Sequence, residues 1–351
     1  MTWRSVAERC AHAIWRRRGI VARLLWPFAA LHRLFRALSG WRYRSGLSRA
    51  RAAGLPLVLI GNLYVGGTGK TALAIELVRM LQSRGWRPGI VARGHGATIK
   101  EPRLVEPQGS ATLYGDEPVL MARATGVPVA VGHDRAAAAR LLAAGGACDI
   151  IVADDGLQHY RLARDFEIAL VDERGWGNGW LLPAGPLRDP PQRLASVDAV
   201  VFNGRPPPVR VYSPFFTLEG ELRDAHALAK PSTRIDLATL RHEQSTRELQ
   251  ILAACGIGHP ARFFAMLRDA GLEFDRLPLH DHFPYAADPF AACRHDRVLI
   301  TEKDAVKCTA VASIAQDPRI WVVPLYSRID AKLIDLIEAR IGRAVDGPAA
   351  A

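Results

Sequence analysis

The sequence predicts an α/β protein built on a doubly wound, mostly parallel sheet. A short apolar run, residues 55–63, leads into a glycine-rich loop and then into a helical pattern. Further apolar runs alternate with helical segments over the next 140 residues, which is typical of parallel strands joined by helical crossovers. With 351 residues, 49% apolar and 23% charged, the chain is long enough for two domains and has the composition of a folded protein.

The positive charge of the chain is confined to its first 54 residues. This segment holds twelve arginines and one acidic residue, whereas residues 55–351 carry 34 basic and 34 acidic residues. A net charge of +11 spread over the surface would suggest a nucleic-acid partner. Because the excess lies in one segment, we expect a local function for it and no nucleic-acid partner.

The pattern of residues 20–38 predicts an N-terminal amphipathic helix. Apolar residues recur there at spacings of three and four, with Pro27 marking a kink or a new helix start. The longest charge-free run, residues 24–32, is too short to span a bilayer. A basic, tryptophan-containing helix is typical of a segment that lies in the headgroup layer of an anionic membrane. We interpret residues 15–41 as a monotopic membrane anchor; packing on the protein's own core is the alternative.

The glycine-rich loop predicts a nucleotide-binding site. Strand, loop and helix follow one another as in a P-loop, and the loop residues are Gly66, Gly67, Thr68, Gly69, Lys70 and Thr71. Backbone amides of such a loop cradle phosphate oxygens, the lysine reaches the β- and γ-phosphates, and the threonine hydroxyl binds Mg²⁺. Tyr64 stands where the strict motif has glycine, so the match is to the second half of the motif.

A second apolar run ends in paired carboxylates, Asp154 and Asp155. A strand that ends in aspartate and accompanies a P-loop is the Walker B arrangement, which delivers a carboxylate to the Mg²⁺. We expect one of the two to hold the metal and the other to orient water or a neighbouring group. An acidic turn at the end of a strand is the alternative interpretation.

Three regions are predicted along the chain: residues 1–54 as the membrane-association segment, 55–210 as the P-loop core and 211–351 as a smaller C-terminal α/β domain. Residues 205–208 are a proline-rich boundary, and residues 219–248 are polar with little periodicity. A new α/β unit is predicted from the strand at residues 249–254 onwards. We expect this domain to close over the nucleotide site.

Several loops extend the P-loop into a specific pattern. They are Gly61-Asn62-Leu63, Arg93-Gly94-His95-Gly96, Gly115-Asp116-Glu117-Pro118, Asp154-Asp155-Gly156-Leu157-Gln158-His159, Gly177-Asn178-Gly179, Leu181 to Arg188, Asp281-His282 and Thr301-Glu302-Lys303-Asp304-Ala305. In this order they resemble the lipid A tetraacyldisaccharide 4′-kinases of Gram-negative bacteria. The resemblance spans roughly residues 15–310.

The resemblance implies an ATP- and Mg²⁺-dependent kinase. It would phosphorylate the 4′-hydroxyl of a tetraacylated glucosamine disaccharide 1-phosphate, a lipid A precursor, as a peripheral enzyme on the cytoplasmic face of the inner membrane. It also implies Asp116 as the base, assisted by His282. A helix N-cap is the alternative for Asp116, and His280 is a rival for the histidine.

The resemblance assigns four further residues. Arg188 would stabilise charge on the transferred phosphoryl group. Asp189 stands where the family has a metal-binding glutamate, and its shorter side chain leaves room for a bridging water. Arg93 and His95 would contact the lipid disaccharide or its 1-phosphate, although the family often has tyrosine at the position of His95.

Two other functions fit parts of the sequence. A P-loop GTPase or metal-insertion ATPase would hydrolyse nucleotide without a lipid acceptor. A nucleic-acid-dependent ATPase would use the N-terminal arginines on phosphates, but the amphipathic spacing of that segment favours lipid.

Overall fold

The computed structural model describes residues 11, 13–208 and 211–342. The strands are β1 Leu57–Asn62, β2 Pro88–Ala92, β3 Arg103–Leu104, β4 Val129–Val131, β5 Ile150–Ala153, β6 Phe166–Asp172, β7 Ala199–Asn203, β8 Phe215–Glu221, β9 Asp224–Ala227, β10 Arg234–Asp236, β11 Ile251–Cys255, β12 Asp275–Pro278, β13 Arg297–Thr301, β14 Ile320–Val323 and β15 Tyr326–Arg328. The α-helices are α1 Ile20–Leu24, α2 Trp26–Arg44, α3 Lys70–Ser83, α4 Ala111–Tyr114, α5 Asp116–Thr125, α6 Arg135–Ala144, α7 Leu237–Arg247, α8 Pro260–Asp269, α9 Glu302–Cys308, α10 Ala312–Ala315 and α11 Lys332–Ile341.

The first sheet has nine strands in the order β15-β8-β7-β6-β1-β5-β2-β4-β3. Its pairings are parallel except for the two outermost, β15 with β8 and β3 with β4. Every residue of the central strand β1 is buried, because helices cover both faces of the sheet. This confirms the predicted α/β architecture with a mostly parallel sheet.

The two faces of this sheet form separate cores. Val58 and Ile60 pack with helices α3, α5 and α11. Leu57 and Leu59, which alternate with them along β1, pack with helix α6 and with Ala29 of α2. This alternation is the two-residue period of a strand, and it places the helices on both sides of the sheet as in a doubly wound fold.

The second sheet has six strands in the order β10-β9-β14-β13-β11-β12. Strands β12, β11, β13 and β14 are parallel, and β9 and β10 run antiparallel at one edge. Its two faces are covered by α7 and α8 on one side and by α9 and α10 with the loop around Tyr285 on the other. The predicted later α/β unit is therefore a sheet with helices on both faces.

The sheets do not divide at the predicted boundary of residues 210 and 211. Strands β8 and β15 follow that boundary in sequence but belong to the first sheet, and α11 packs into the core below β1. Residues 219–248, which have little periodicity, contain the end of β8, strands β9 and β10 and helix α7. The chain thus leaves the first sheet, builds the second and returns.

Helices α1 and α2 occupy the segment with the amphipathic pattern, and the first ten residues of the predicted segment 1–54 lie outside the described residues. Most large apolar side chains of α1 and α2 are exposed. Those that are 47% exposed or more are Ile20, Val21, Leu24, Trp26, Phe28, Leu31, Leu34, Phe35, Leu38 and Trp41. None of the described helices combines the length and the apolar character that a membrane span requires.

Candidate active site

The P-loop lies between β1 and α3, and side chains from neighbouring strands hold its backbone. Asn203, at the end of β7, donates its amide to the carbonyl of Thr68 at 2.7 Å. Gly69 has φ of +96°, and a Cβ there would collide with the Asn203 amide. Arg174 donates to the carbonyl of Gly67 at 2.7 Å. The loop therefore has a fixed shape in which glycine is required at position 69.

Buried Asn62, the last residue of β1, connects the loop to its lysine. Its amide nitrogen donates to Thr68 Oγ1 at 2.9 Å, and its amide oxygen accepts from Lys70 Nζ at 3.2 Å. Lys70 Nζ also lies 3.5 Å from Asp155 Oδ1. The ammonium group is thus held at the carboxyl end of the sheet, where the ligand site of an open α/β fold is expected.

The two predicted Walker B carboxylates differ in their surroundings. Asp155 accepts from Arg188 Nη1 at 2.8 and 3.1 Å. Burial opposes its ionisation, but Lys70 and Arg188 lower its pKa to about 2. Asp154 is 4% exposed, and its Oδ1 has no hydrogen-bond partner among the residues described. Burial, followed by the charge of Glu117, raises its pKa.

The buried carboxylate of Asp154 fits a magnesium ion, and the P-loop pattern predicts the Thr71 hydroxyl as a second ligand. A buried carboxylate oxygen without a partner and with a raised pKa gains most from a nearby cation. The described part of the chain has no cluster of three or more His, Cys, Asp or Glu residues suited to a metal. Such a cluster is not required in a P-loop site, because Mg²⁺ there takes a hydroxyl, a carboxylate and phosphate oxygens.

Asp116 and His282 belong to elements packed with different sheets, and one hydrogen bond joins their side chains. Asp116 begins α5 of the first sheet, and His282 lies in the loop after β12 of the second. His282 Nδ1 lies 2.9 Å from Asp116 Oδ2, and Lys307 Nζ lies 3.4 Å from the same oxygen. Burial opposes the charge of both partners. Even so, the His282 bond holds the pKa of Asp116 well below its usual range, and the Asp116 bond raises that of His282.

Lys303 of α9 adds an ion pair between the same two parts of the protein. Lys303 Nζ lies 3.1 Å from Glu117 Oε1, 3.4 Å from Asp281 Oδ1 and 3.4 Å from His282 Nε2. Burial opposes its charge, but Glu117 and Asp281 raise its pKa. Lys303 and Glu117 both line the cleft described below. His280 instead bonds the backbone of Asp281 through Nδ1, so of the two candidate histidines only His282 contacts Asp116.

A group of cationic side chains lies next to the Asp155 loop. Arg135 is 2% exposed, and its Nη2 donates to the carbonyl of Asp155 at 2.9 Å. Within the described residues its Nε and Nη1 have no partner. Burial, with the charges of Arg135 and Arg93, lowers the pKa of His159 to about 4. Unsatisfied guanidinium donors in a positive field favour an anionic ligand. The predicted substrate-binding residue His95 lies beside the Asp116–His282 pair, with its ring 4.9 Å from that of His282.

Asp189, predicted at the metal site, is held by two side chains of the protein. Both of its carboxylate oxygens bond Arg36, at 2.9 and 3.1 Å, and Oδ2 also accepts from Gln158 at 2.9 Å. These three bonds fix the orientation of the Asp189 carboxylate. Its neighbour Arg188 donates from Nη1 to Asp155 Oδ1.

A cleft of about 500 Å³ contains the P-loop and is lined by residues of both sheets and their helices. Its lining from the first sheet includes residues 67–71 and Asn203, and its lining from the second includes Gly258, His259 and Lys303. Gly258 packs directly on the P-loop, since a Cβ there would lie 2.9 Å from the Gly67 nitrogen. The volume and the mixed lining suit a nucleotide whose phosphates lie on the P-loop.

Sequence reasoning missed several residues of this site. Asn203, Arg174 and Arg135 follow or flank predicted strands and carry polar groups toward the loop. A polar residue at the carboxyl end of a parallel strand was the available signal. Lys303 and Glu117 stand inside motifs that were recognised, but their contact joins two sheets and could not be read from spacing.

Comparisons with known proteins identify the family of this chain. The profile of the family "Tetraacyldisaccharide-1-P 4'-kinase" matches residues 21–342. A tetraacyldisaccharide 4'-kinase of Herminiimonas arsenicoxydans is 45% identical over 349 residues, covering 96% of this chain and 97% of the relative. One from Bordetella parapertussis is 46% identical over 335 residues, covering 92% and 94%.

A solved structure is also similar. It is LpxK from Aquifex aeolicus in complex with ATP, with a TM-score of 0.76 and 26% identity, covering 92% of this chain and 99% of that one. The resemblance inferred from the motifs is confirmed. The chain belongs to the tetraacyldisaccharide-1-phosphate 4′-kinase family.

Proposed function

We propose that this protein transfers the γ-phosphate of ATP to the 4′-hydroxyl of a tetraacylated glucosamine disaccharide 1-phosphate. The observation that carries the proposal is the meeting of Asp116 and His282 at 2.9 Å beside a cleft that contains the P-loop. The names of the relatives supply the acceptor. They do not favour a GTPase or a metal-insertion ATPase.

The phosphate chain of ATP would lie on the P-loop. Lys70 and Arg188 both contact Asp155 in the free protein, so each can turn from that carboxylate to phosphate oxygens. Thr71 and Asp154 would hold Mg²⁺, which supplies charge neutralisation for the phosphates. Arg188 would then stabilise the charge that spreads over the transferred group.

Asp116 would act on the acceptor hydroxyl. Its low pKa keeps it ionised at neutral pH, so it is a weak base toward a free alcohol. It orients the hydroxyl first and takes the proton late, when the forming oxygen–phosphorus bond has made the hydroxyl acidic. His282 and Lys307 stabilise the carboxylate in its ionised form.

The acceptor would approach from the side of Arg93 and His95. Arg93 and the buried, partly unsatisfied Arg135 add positive charge there, which suits the phosphate of a disaccharide 1-phosphate. The exposed apolar residues of α1 and α2 would enter the membrane interface, where a tetraacylated substrate lies. The enzyme would then be peripheral, on the cytoplasmic face, where ATP is available.

The test is a transfer assay with the purified protein. Labelled [γ-³²P]ATP and Mg²⁺ are incubated with the lipid A precursor in neutral detergent micelles, and the lipid is analysed for label. We expect label at the 4′ position and none on a substrate whose 4′-hydroxyl is methylated, with Lys70→Ala as the inactive control. Release of inorganic phosphate at one rate with or without the lipid would overturn the proposal and favour the hydrolase alternative.

A further inference from the structure

Helix α2 has two faces with different partners. The inward face carries Ala29, His32, Arg36 and Tyr43, spaced three, four and seven residues apart, and each of them contacts the body of the protein. The outward face carries the exposed apolar residues described above. Residues at such spacings share one side of a helix. Helix α2 therefore packs on the protein with one face and exposes apolar side chains on the other.

The inward face is held by a buried ion pair. Arg36 bonds both oxygens of Asp189, and the side chains of the pair are 17% and 3% exposed. The Arg36 guanidinium also lies 5.2 Å from the ring centre of Tyr160, a cation–π distance, and Tyr43 stacks on the same ring. Two parallel hydrogen bonds of this type fix orientation as well as distance.

The ion pair is connected to the P-loop through Arg188 and Gln158. Asp189 follows Arg188, whose guanidinium binds Asp155 and whose carbonyl lies 3.2 Å from His32 Nε2. Gln158, which also bonds Asp189, donates to the carbonyl of Asn62, the residue that holds Lys70. The loop that carries Arg188 and the loop that carries Asp155 are thus both connected to α2 through Asp189.

We propose that Arg36 is a positioning residue for phosphoryl transfer: through Asp189 it holds Arg188 in place, so the helix with the exposed apolar face is a structural part of the active site. This inference rests on the proposed function. The expected consequence is that loss of Arg36 impairs the reaction even in detergent micelles, where no membrane has to be bound.

The experiment compares Arg36→Gln, Arg36→Lys and a control, Arg247→Gln, in which an exposed arginine at the end of α7 loses the same charge. Turnover number, KM for ATP and binding to anionic vesicles are measured for each. For Arg36→Gln we expect turnover to fall about tenfold or more, with KM for ATP and vesicle binding within about threefold of the wild type. Arg36→Lys should recover part of the turnover, and the control should match the wild type.

A folding defect is separated by a double variant. Arg36→Gln alone leaves a buried carboxylate without its partner and is expected to lower the melting temperature. Arg36→Gln with Asp189→Asn removes both charges, so its melting temperature should recover while its turnover stays low. Wild-type turnover in either variant would overturn the inference, and so would a loss that recovers fully with the melting temperature. Failure of the proposed function would appear differently, as absence of lipid phosphorylation by the wild type.

Discussion

Replacing Phe35 with serine should weaken attachment to membranes without affecting the fold. Phe35 lies on α2 and is 64% exposed. Full burial of a phenylalanine side chain contributes about 1.5–3 kcal/mol. The exposed two thirds would therefore contribute about 1–2 kcal/mol on entering the membrane interface. This corresponds to a loss of about fivefold to thirtyfold in the partition coefficient of the variant.

The assay is cosedimentation with vesicles of phosphatidylglycerol and phosphatidylethanolamine over a range of lipid concentrations. The matched control is Tyr212→Ser, since Tyr212 is 82% exposed but lies outside the N-terminal helices. We expect the control to bind like the wild type and both variants to keep the wild-type melting temperature. Equal binding by Phe35→Ser and the wild type, or equal losses in the two variants, would refute the assignment of α2 to the membrane.

Two further predictions concern the site. Gly69→Ala should raise the Kd for ATP about tenfold or more, measured by calorimetry, because its positive φ and the Asn203 amide exclude a side chain; unchanged binding would contradict the described loop. His282 has a raised pKa, so its bond to Asp116 stabilises the fold below about pH 6.5 and loses this effect as pH rises through the raised pKa. The free energy of unfolding in urea should be higher for the wild type than for His282→Gln, and this difference should be larger at pH 6 than at pH 9. An equal difference at the two pH values would contradict the stabilising role of the bond.

The sequence was most informative where local pattern decides structure. The apolar run before the P-loop and the run ending at Asp154 are strands β1 and β5, since their length and branching suit a sheet buried on both faces. The structure of residues 219–248 was harder to predict from the sequence. Strands β9 and β10 form an edge of the second sheet and α7 is strongly polar, so little periodicity marks them.

The motifs of the site could be predicted from the sequence, but the contacts between distant side chains could not. The spacing of Lys70 and Thr71 within the P-loop identifies a phosphate site because the chemistry depends on neighbouring residues. The bond between Arg36 and Asp189 joins residues 153 positions apart, and neither residue has a local feature that indicates its partner. The family resemblance places Asp189 near the metal, and it gives no sign that Arg36 of the N-terminal helix binds the same carboxylate.

The most direct measurement of the proposed chemistry is single-turnover transfer by Asp116→Asn. The variant keeps the size of the side chain but removes the carboxylate that would orient the acceptor and accept its proton. With ATP binding confirmed by calorimetry, we expect the rate of label transfer from ATP to the lipid to fall about a hundredfold or more. A rate within a few-fold of the wild type, with ATP bound equally well, would contradict the role of Asp116 and with it the proposed mechanism.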